Sequence, residues 1–197
     1  MESDLDRIKS DIISLPTSRF VSKWFFDRVP FAFSNDKESY TIWRESIASK
    51  IMLDPSDILI SGSACFGYSL SPYKQFKPFD SKSDVDICII SSYYFDTAWN
   101  ELLQLKELPP ESRMREAIND HRTRLIYWGT IATDKILPLL SFGPKWNRIL
   151  AESKTNTFLE NREINFRIYK DRFSIRRYIG ESVNKCKNEL LGGAAID

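Results

Sequence analysis

The chain has little of what would mark it as secreted, membrane-borne or built around a transition metal. Its three cysteines, Cys65, Cys88 and Cys186, are odd in number and lack metal-ligand spacing. That excludes a disulfide framework and reads as free or buried thiols in a reducing compartment. The one histidine, His121, has no second histidine or cysteine nearby, so it reads as a helix-surface or core-edge residue. No apolar run reaches membrane-spanning length, and Met1-Glu2-Ser3-Asp4 is acidic where a secretory signal would be basic. An excess of charge of one sign is missing too. Lys and Arg number 28 against 27 Asp and Glu, a net +1, which gives no long-range pull toward nucleic acid and leaves only a local basic patch open. Repeats and low-complexity tracts are absent. A cytoplasmic protein with no membrane partner is the expectation.

What is present is an ordinary globular composition. At 197 residues, 42% hydrophobic and 28% charged, the chain can bury a core of its own. It reads as one compact unit with an N-terminal helical region (1–54), a central core (55–173) and a C-terminal helix (174–197). Leu5, Ile8, Ile12 and Leu15 recur at helical spacing and stop at Pro16. Thr17 or Ser18 is placed to cap a second helix carrying Phe20, Val21, Trp24 and Phe25. Asn35 is placed to cap a third, with Glu38 three residues on and Trp43, Ile47 and Ile51 on one face. Further along, Asp96 and Glu111 read as the starts of two more helices. The apolar pattern around Tyr127-Trp128-Gly129-Thr130 continues helical toward Pro138, with the glycine read as a tight crossing. A short helix follows at Trp146, and a closing helix covers 174–190 before Gly192-Gly193.

Three stretches read as strands. Residues 57–60 are a short apolar run entering the turn Ser61-Gly62-Ser63. In 84–90, Val85, Ile87, Ile89 and Ile90 are β-formers bounded by serines, and 163–169 alternates with Ile164, Phe166 and Ile168 on one face. The fold class expected is α/β (α+β), a small mixed sheet among helices, with helix dominating.

The second strand carries the chemistry. Successive side chains on a strand point to opposite faces, so Asp84 and Asp86 share a face with α-carbons about 6.6 Å apart. Two carboxylates that close repel unless a cation lies between them, and hard oxygens suit magnesium or manganese. Alone, an Asp-x-Asp pair is more often a solvated strand edge. The Gly62-Ser63 turn before a helical start adds a backbone that can approach an anion closely.

Ile60-Ser61-Gly62-Ser63 followed by Ser83-Asp84-Val85-Asp86-Ile87 resembles the signature of the DNA-polymerase-β-like nucleotidyltransferase superfamily. The resemblance covers residues 57–90 and implies a metal-dependent transfer of a nucleoside monophosphate from a nucleoside triphosphate, ATP being the expected one. The acceptor would be a hydroxyl on a nucleotide, an RNA end or a protein. It implies that Gly62 and Ser63 hold phosphates and that Asp84 and Asp86 bind the divalent ions. It also implies a context among small bacterial toxin–antitoxin or antiphage proteins, some with a partner protein. Lys82 is placed to help hold the triphosphate, while Lys74 and Lys77 read as solvated loop lysines. Active members of the superfamily add a third carboxylate from a later strand. Here the middle of that strand offers Asn165, and Glu163, one pleat earlier on the same face, is the residue expected to serve, ahead of Asp134 and Asp171. The alternative is a module that keeps the fold, binds nucleotide or a partner effector, and has lost turnover. A basic strip at Arg167, Lys170, Arg172, Arg176 and Arg177 reads as a solvated helix face or as a phosphate contact.

Overall fold

In a computed structural model that describes residues 4–153 and 162–192, helices form largely where the apolar spacing places them. Helix α1 (Asp4–Ser14) buries Ile8 and Ile12 and ends ahead of Pro16, which cannot donate to a continuing helix. Helix α2 (Thr17–Val21) runs on through a wider turn at Ser22–Phe26 and buries Phe20, Val21, Trp24 and Phe25. Neither Thr17 nor Ser18 caps it. Pro16 holds that position, and the Thr17 hydroxyl donates instead to Asn184 on the last helix. Asn35 does not cap α3 (Lys37–Ile51) either. It adopts a left-handed φ of 66°, which asparagine tolerates, and Asp36 accepts the Ser39 N–H as the cap.

The sheet has four strands in the order β1-β2-β4-β3: β1 (Ile58–Ser61), β2 (Val85–Ile90), β3 (Thr130–Ala132) and β4 (Ile164–Tyr169). β2 and β4 pair in parallel, with β1 and β3 antiparallel on the outside. The architecture is mixed α/β and dominated by helix, as the sequence indicates. The short β3 lies inside the run that reads as a helical continuation. Gly129 explains the switch: its φ is 66°, and a Cβ there would sit 2.4 Å from the Ser174 hydroxyl, so the chain turns against a helix and leaves as a strand.

One face of the sheet carries Val85, Ile87, Ile89, Phe166 and Ile168. Trp146 of α7 (Gly143–Ser153) packs on it, its ring 4.9 Å from Phe166 and from Tyr94 of α5 (Ser92–Gln104). Tyr94 also donates its hydroxyl to Ile51 O at the end of α3. Helix α5 is capped by Ser91 rather than Asp96, whose carboxylate lies 3.5 Å from the Lys170 ammonium. The other face carries Asp86, Cys88, Asn165, Arg167 and Tyr169. It is covered by a single-turn helix α4 (Gly62–Phe66) and by α8 (Arg172–Leu190), with Tyr169 and Tyr178 rings 5.7 Å apart. Asp171 accepts the Ser174 N–H, so its carboxylate is committed as the cap of α8. Gly193, expected in the stop after this helix, lies outside the described residues.

His121 is buried just after α6 (Ser112–Asp120). Its Nδ1–H donates to Ala117 O, and its Nε2 accepts the Ala132 N–H, tying this turn to the β3 edge. Burial pushes its pKa down, so the fold holds the neutral ring.

Two stability outcomes follow from this packing. Trp146→Ala removes a ring that is 0% exposed, and chemical denaturation should show a loss of about 3–5 kcal/mol. For His121, a folded pKa below the unfolded value means that the unfolded chain takes up the proton first. Its contribution is therefore present above about pH 6.5 and lost as pH falls below that. The slope of unfolding free energy against pH between about 7 and 5 should flatten in His121→Leu.

Candidate functional site

β1 delivers the chain to the site. Ser61, its last residue, pairs with Asp86 across the antiparallel ladder, and Gly62 then turns the chain at φ 65°. A Cβ at Gly62 would stand 3.6 Å from Asp86 Oδ2, so the backbone of the turn and the carboxylate face each other at contact distance. An L-residue in that left-handed conformation costs about 1–2 kcal/mol. Gly67, at φ 84°, ends the single turn of α4.

The long loop before β2 is pinned rather than free. Ser69 N–H donates to Lys77 O and Phe79 N–H to Gly67 O, which folds the loop back on itself. Arg162, just ahead of β4, donates to the carbonyls of Asp80 and Ser83, and its guanidinium lies 4.2 Å over the Phe79 ring. It thereby fixes the chain at the residues that lead into Asp84. Nothing in the local sequence around Arg162 signals this role, because its partners lie about 80 positions earlier.

Gly62, Ser63, Asp84 and Asp86 come together on one cavity of about 210 Å³. Lys74 lines it as well, although it reads from sequence as a solvated loop lysine. On the far wall are Tyr178, Ile179 and Ser182 of α8. Lys82 is exposed and away from the lining, with its backbone N–H donating to Asp80 Oδ1. Glu163 is exposed and does not line the cavity; its carbonyl accepts the Val85 N–H. Among the described residues, no group of three or more His, Cys, Asp or Glu side chains is placed to hold a metal ion.

The site is electrostatically uneven. Burial raises the pKa of Asp86, with Asp84 and Asp134 raising it further and Arg167 and Lys74 opposing them. No basic side chain among the described residues makes an ion pair with Asp84 or Asp86, and none donates a hydrogen bond to either. Across β4, Asn165 stands opposite Asp86, and Arg167 follows on the same face opposite Cys88. Arg167 Nη1 donates to the Tyr178 hydroxyl at 2.7 Å. Two hard carboxylates could hold a divalent ion only if other oxygens, from water or a ligand, completed its shell. They do not make up a three-carboxylate cage. The thiol of Cys88, beneath Asp86 on the same face, is pushed up to about 12 by burial and is chemically quiet.

The basic strip separates once folded. Arg172 binds Asp57 and Ser56, Arg176 binds Ser18 O and Ser22, and Lys170 faces Asp96. Arg177 sits 5.0–5.9 Å from the rings of Tyr127, Trp128 and Phe173. Only Arg167 faces the polar side of the sheet. Comparison of the chain with protein-family models, curated proteins and solved structures found no match. No helix among the described residues is long and apolar enough to cross a membrane.

The raised pKa of Asp86 has a measurable sign. The folded state holds the proton more tightly than the unfolded chain, so stability falls as pH rises through that window. In metal-free protein, Asp86→Asn should raise the melting temperature at neutral pH. The gain should shrink toward zero as pH approaches about 3.8. A melting temperature lowered by Asp86→Asn at neutral pH would contradict the desolvated carboxylate.

Proposed function

We propose that the cavity between the Gly62 turn, β2 and α8 binds a nucleoside triphosphate with magnesium or manganese. On this reading the protein is a nucleotidyltransferase that moves a nucleoside monophosphate to a hydroxyl on a nucleotide, an RNA end or a protein. The observation that carries the reading is the pair Asp84 and Asp86, unpaired by any described basic side chain, beside a turn whose backbone approaches Asp86 without a side chain in the way. Asp84 and Asp86 would hold the divalent ion, which when bound neutralises charge on the phosphate oxygens. Ser63 and the Gly62 backbone would receive the phosphates, and Lys74 would add a positive charge at the same wall. ATP is the nucleotide we expect. In the reaction the acceptor oxygen bonds to the α-phosphorus, the bond to the pyrophosphate oxygen breaks, and the hydroxyl proton leaves to a base. Most of the protein's contribution is alignment and charge.

A second reading has its own observation. Asn165 stands opposite Asp86, and Glu163 does not line the cavity, so the described residues supply two carboxylates and not three. That favours a module that binds nucleotide and regulates a partner without turnover.

Incubation with each α-labelled nucleoside triphosphate and magnesium or manganese decides between them. Transfer of label that disappears in the Asp84→Ala, Asp86→Ala double variant is the outcome expected for the enzyme. Metal-dependent binding without transfer, lost in the same variant, would establish the module. Nucleotide binding that is indifferent to both aspartates would sink both readings.

A further inference from the structure

Behind Tyr178 lies a second cavity, of about 280 Å³, between β3, β4, α6 and α8. Tyr178 lines both cavities, so they are neighbours through one side chain. The second floor carries Arg167, whose charge also acts on Asp86 in the first. We propose that this second cavity is a binding site for a phosphate monoester, seated on Arg167. Resting on the function proposed above, we assign the phosphate to the acceptor, which is then a mononucleotide-like molecule.

The charges at the site support this choice. Arg167 projects from β4, an interior strand of the sheet. Its guanidinium has five N–H donors, and among the described residues its one side-chain hydrogen bond goes to the Tyr178 hydroxyl. No described carboxylate lies within 4 Å of it, whereas Arg124 and Arg172 each hold an aspartate at 2.8 Å. Only the distant Asp86 offsets the charge of this half-buried guanidinium, so an anion in contact with it would complete it. Its planar fork matches a phosphate or a carboxylate. Beside it on the floor, His121 is neutral with both ring nitrogens already bonded, so Arg167 is the charge that a ligand meets there.

The rim is mixed. Arg124 is occupied by Asp120 through two hydrogen bonds of 2.8 Å. Lys135, exposed and without an ion pair among the described residues, leaves a second cation for the anion's outer oxygens. Asp134 and Glu116 are exposed at the same rim and suit hydroxyl donors. An inner cation with outer carboxylates fits a ligand that presents a phosphate inward and a sugar outward. A bare anion would meet the carboxylates with nothing to offer them. The triphosphate of the first cavity has Gly62, Ser63 and Lys74 on the opposite side of Tyr178, so a phosphate at Arg167 belongs to a second molecule.

The test is calorimetric titration of the full chain with inorganic phosphate and, separately, with AMP, in EDTA at fixed ionic strength. Both should bind, AMP the more tightly. Arg167→Gln should weaken both by about tenfold or more, as expected for loss of a charge-assisted pair. Lys135→Gln, an exposed change that leaves the fold alone, should weaken both by about threefold. The Asp84→Ala, Asp86→Ala variant removes negative charge near Arg167 and should bind phosphate at least as tightly as wild type, while in magnesium buffer without EDTA it loses ATP binding, which separates this site from the first. Inorganic phosphate binding as tightly as AMP keeps the anion site and rules out the sugar-bearing ligand. The proposal is overturned if wild type binds neither ligand, if phosphate binding survives Arg167→Gln in folded protein, or if it survives Lys135→Gln unchanged or is weakened by the double aspartate variant. Should Arg167→Gln fail to fold, those two variants decide.

Discussion

Strands β2 and β4 run side by side in parallel through six residues each, with helices over both faces. A parallel pair buried in this way tolerates little but apolar side chains, because a polar group on either face must find a partner or a ligand. β2 obeys with Val85, Ile87, Cys88, Ile89 and Ile90, all buried, and breaks the rule at Asp86. β4 obeys with Ile164, Phe166, Ile168 and Tyr169 and breaks it at Asn165 and Arg167. The ladder sets Asn165 opposite Asp86 and Arg167 one pleat further on the same face, so the exceptions form one polar strip.

That strip is held at a cost in stability. Asp86 keeps a carboxylate where burial resists its charge, and Arg167 compensates it at a distance without forming an ion pair. A closed Asp86–Arg167 pair would be electrically satisfied and would leave neither group able to meet a ligand. Keeping them apart leaves a negative cavity on one side of Tyr178 and a positive floor on the other. Poorly compensated groups gathered in clefts are where function concentrates.

Helix α8 links this chemistry to the rest of the molecule. Asp171 caps its start, Gly129 allows the β3 turn to press against Ser174, and Asn184 holds the beginning of α2. Between those anchors Tyr178 is placed at the wall that both cavities share. The N-terminal helices thus act on the site indirectly, by fixing the helix that closes it.

The sequence by itself determined the elements whose signal is local. The alternation in β2 put Asp84 and Asp86 on one face, the Gly62-Ser63 turn identified one wall of the first cavity, and helical spacing placed α1, α3 and α8 to within a few residues. These follow from the two- and 3.6-residue periods of the backbone, which neighbouring residues express without help. Tertiary structure alone decided the rest. Three-residue β3 has too few positions to show a period, and it exists because β4 offers an edge and Gly129 permits the turn. The path of the loop, set by contacts between Gly67 and Phe79 and between Ser69 and Lys77, brought Lys74 to the cavity and left Lys82 outside. Strand register put Asn165 opposite Asp86 and placed Arg167 beneath a second cavity, while Glu163 fell just outside β4 and off the first cavity's lining. Each of these outcomes depends on pairing between residues well separated along the chain, about ten positions apart in the loop and about 40 to 80 in the sheet, where no local pattern carries the information.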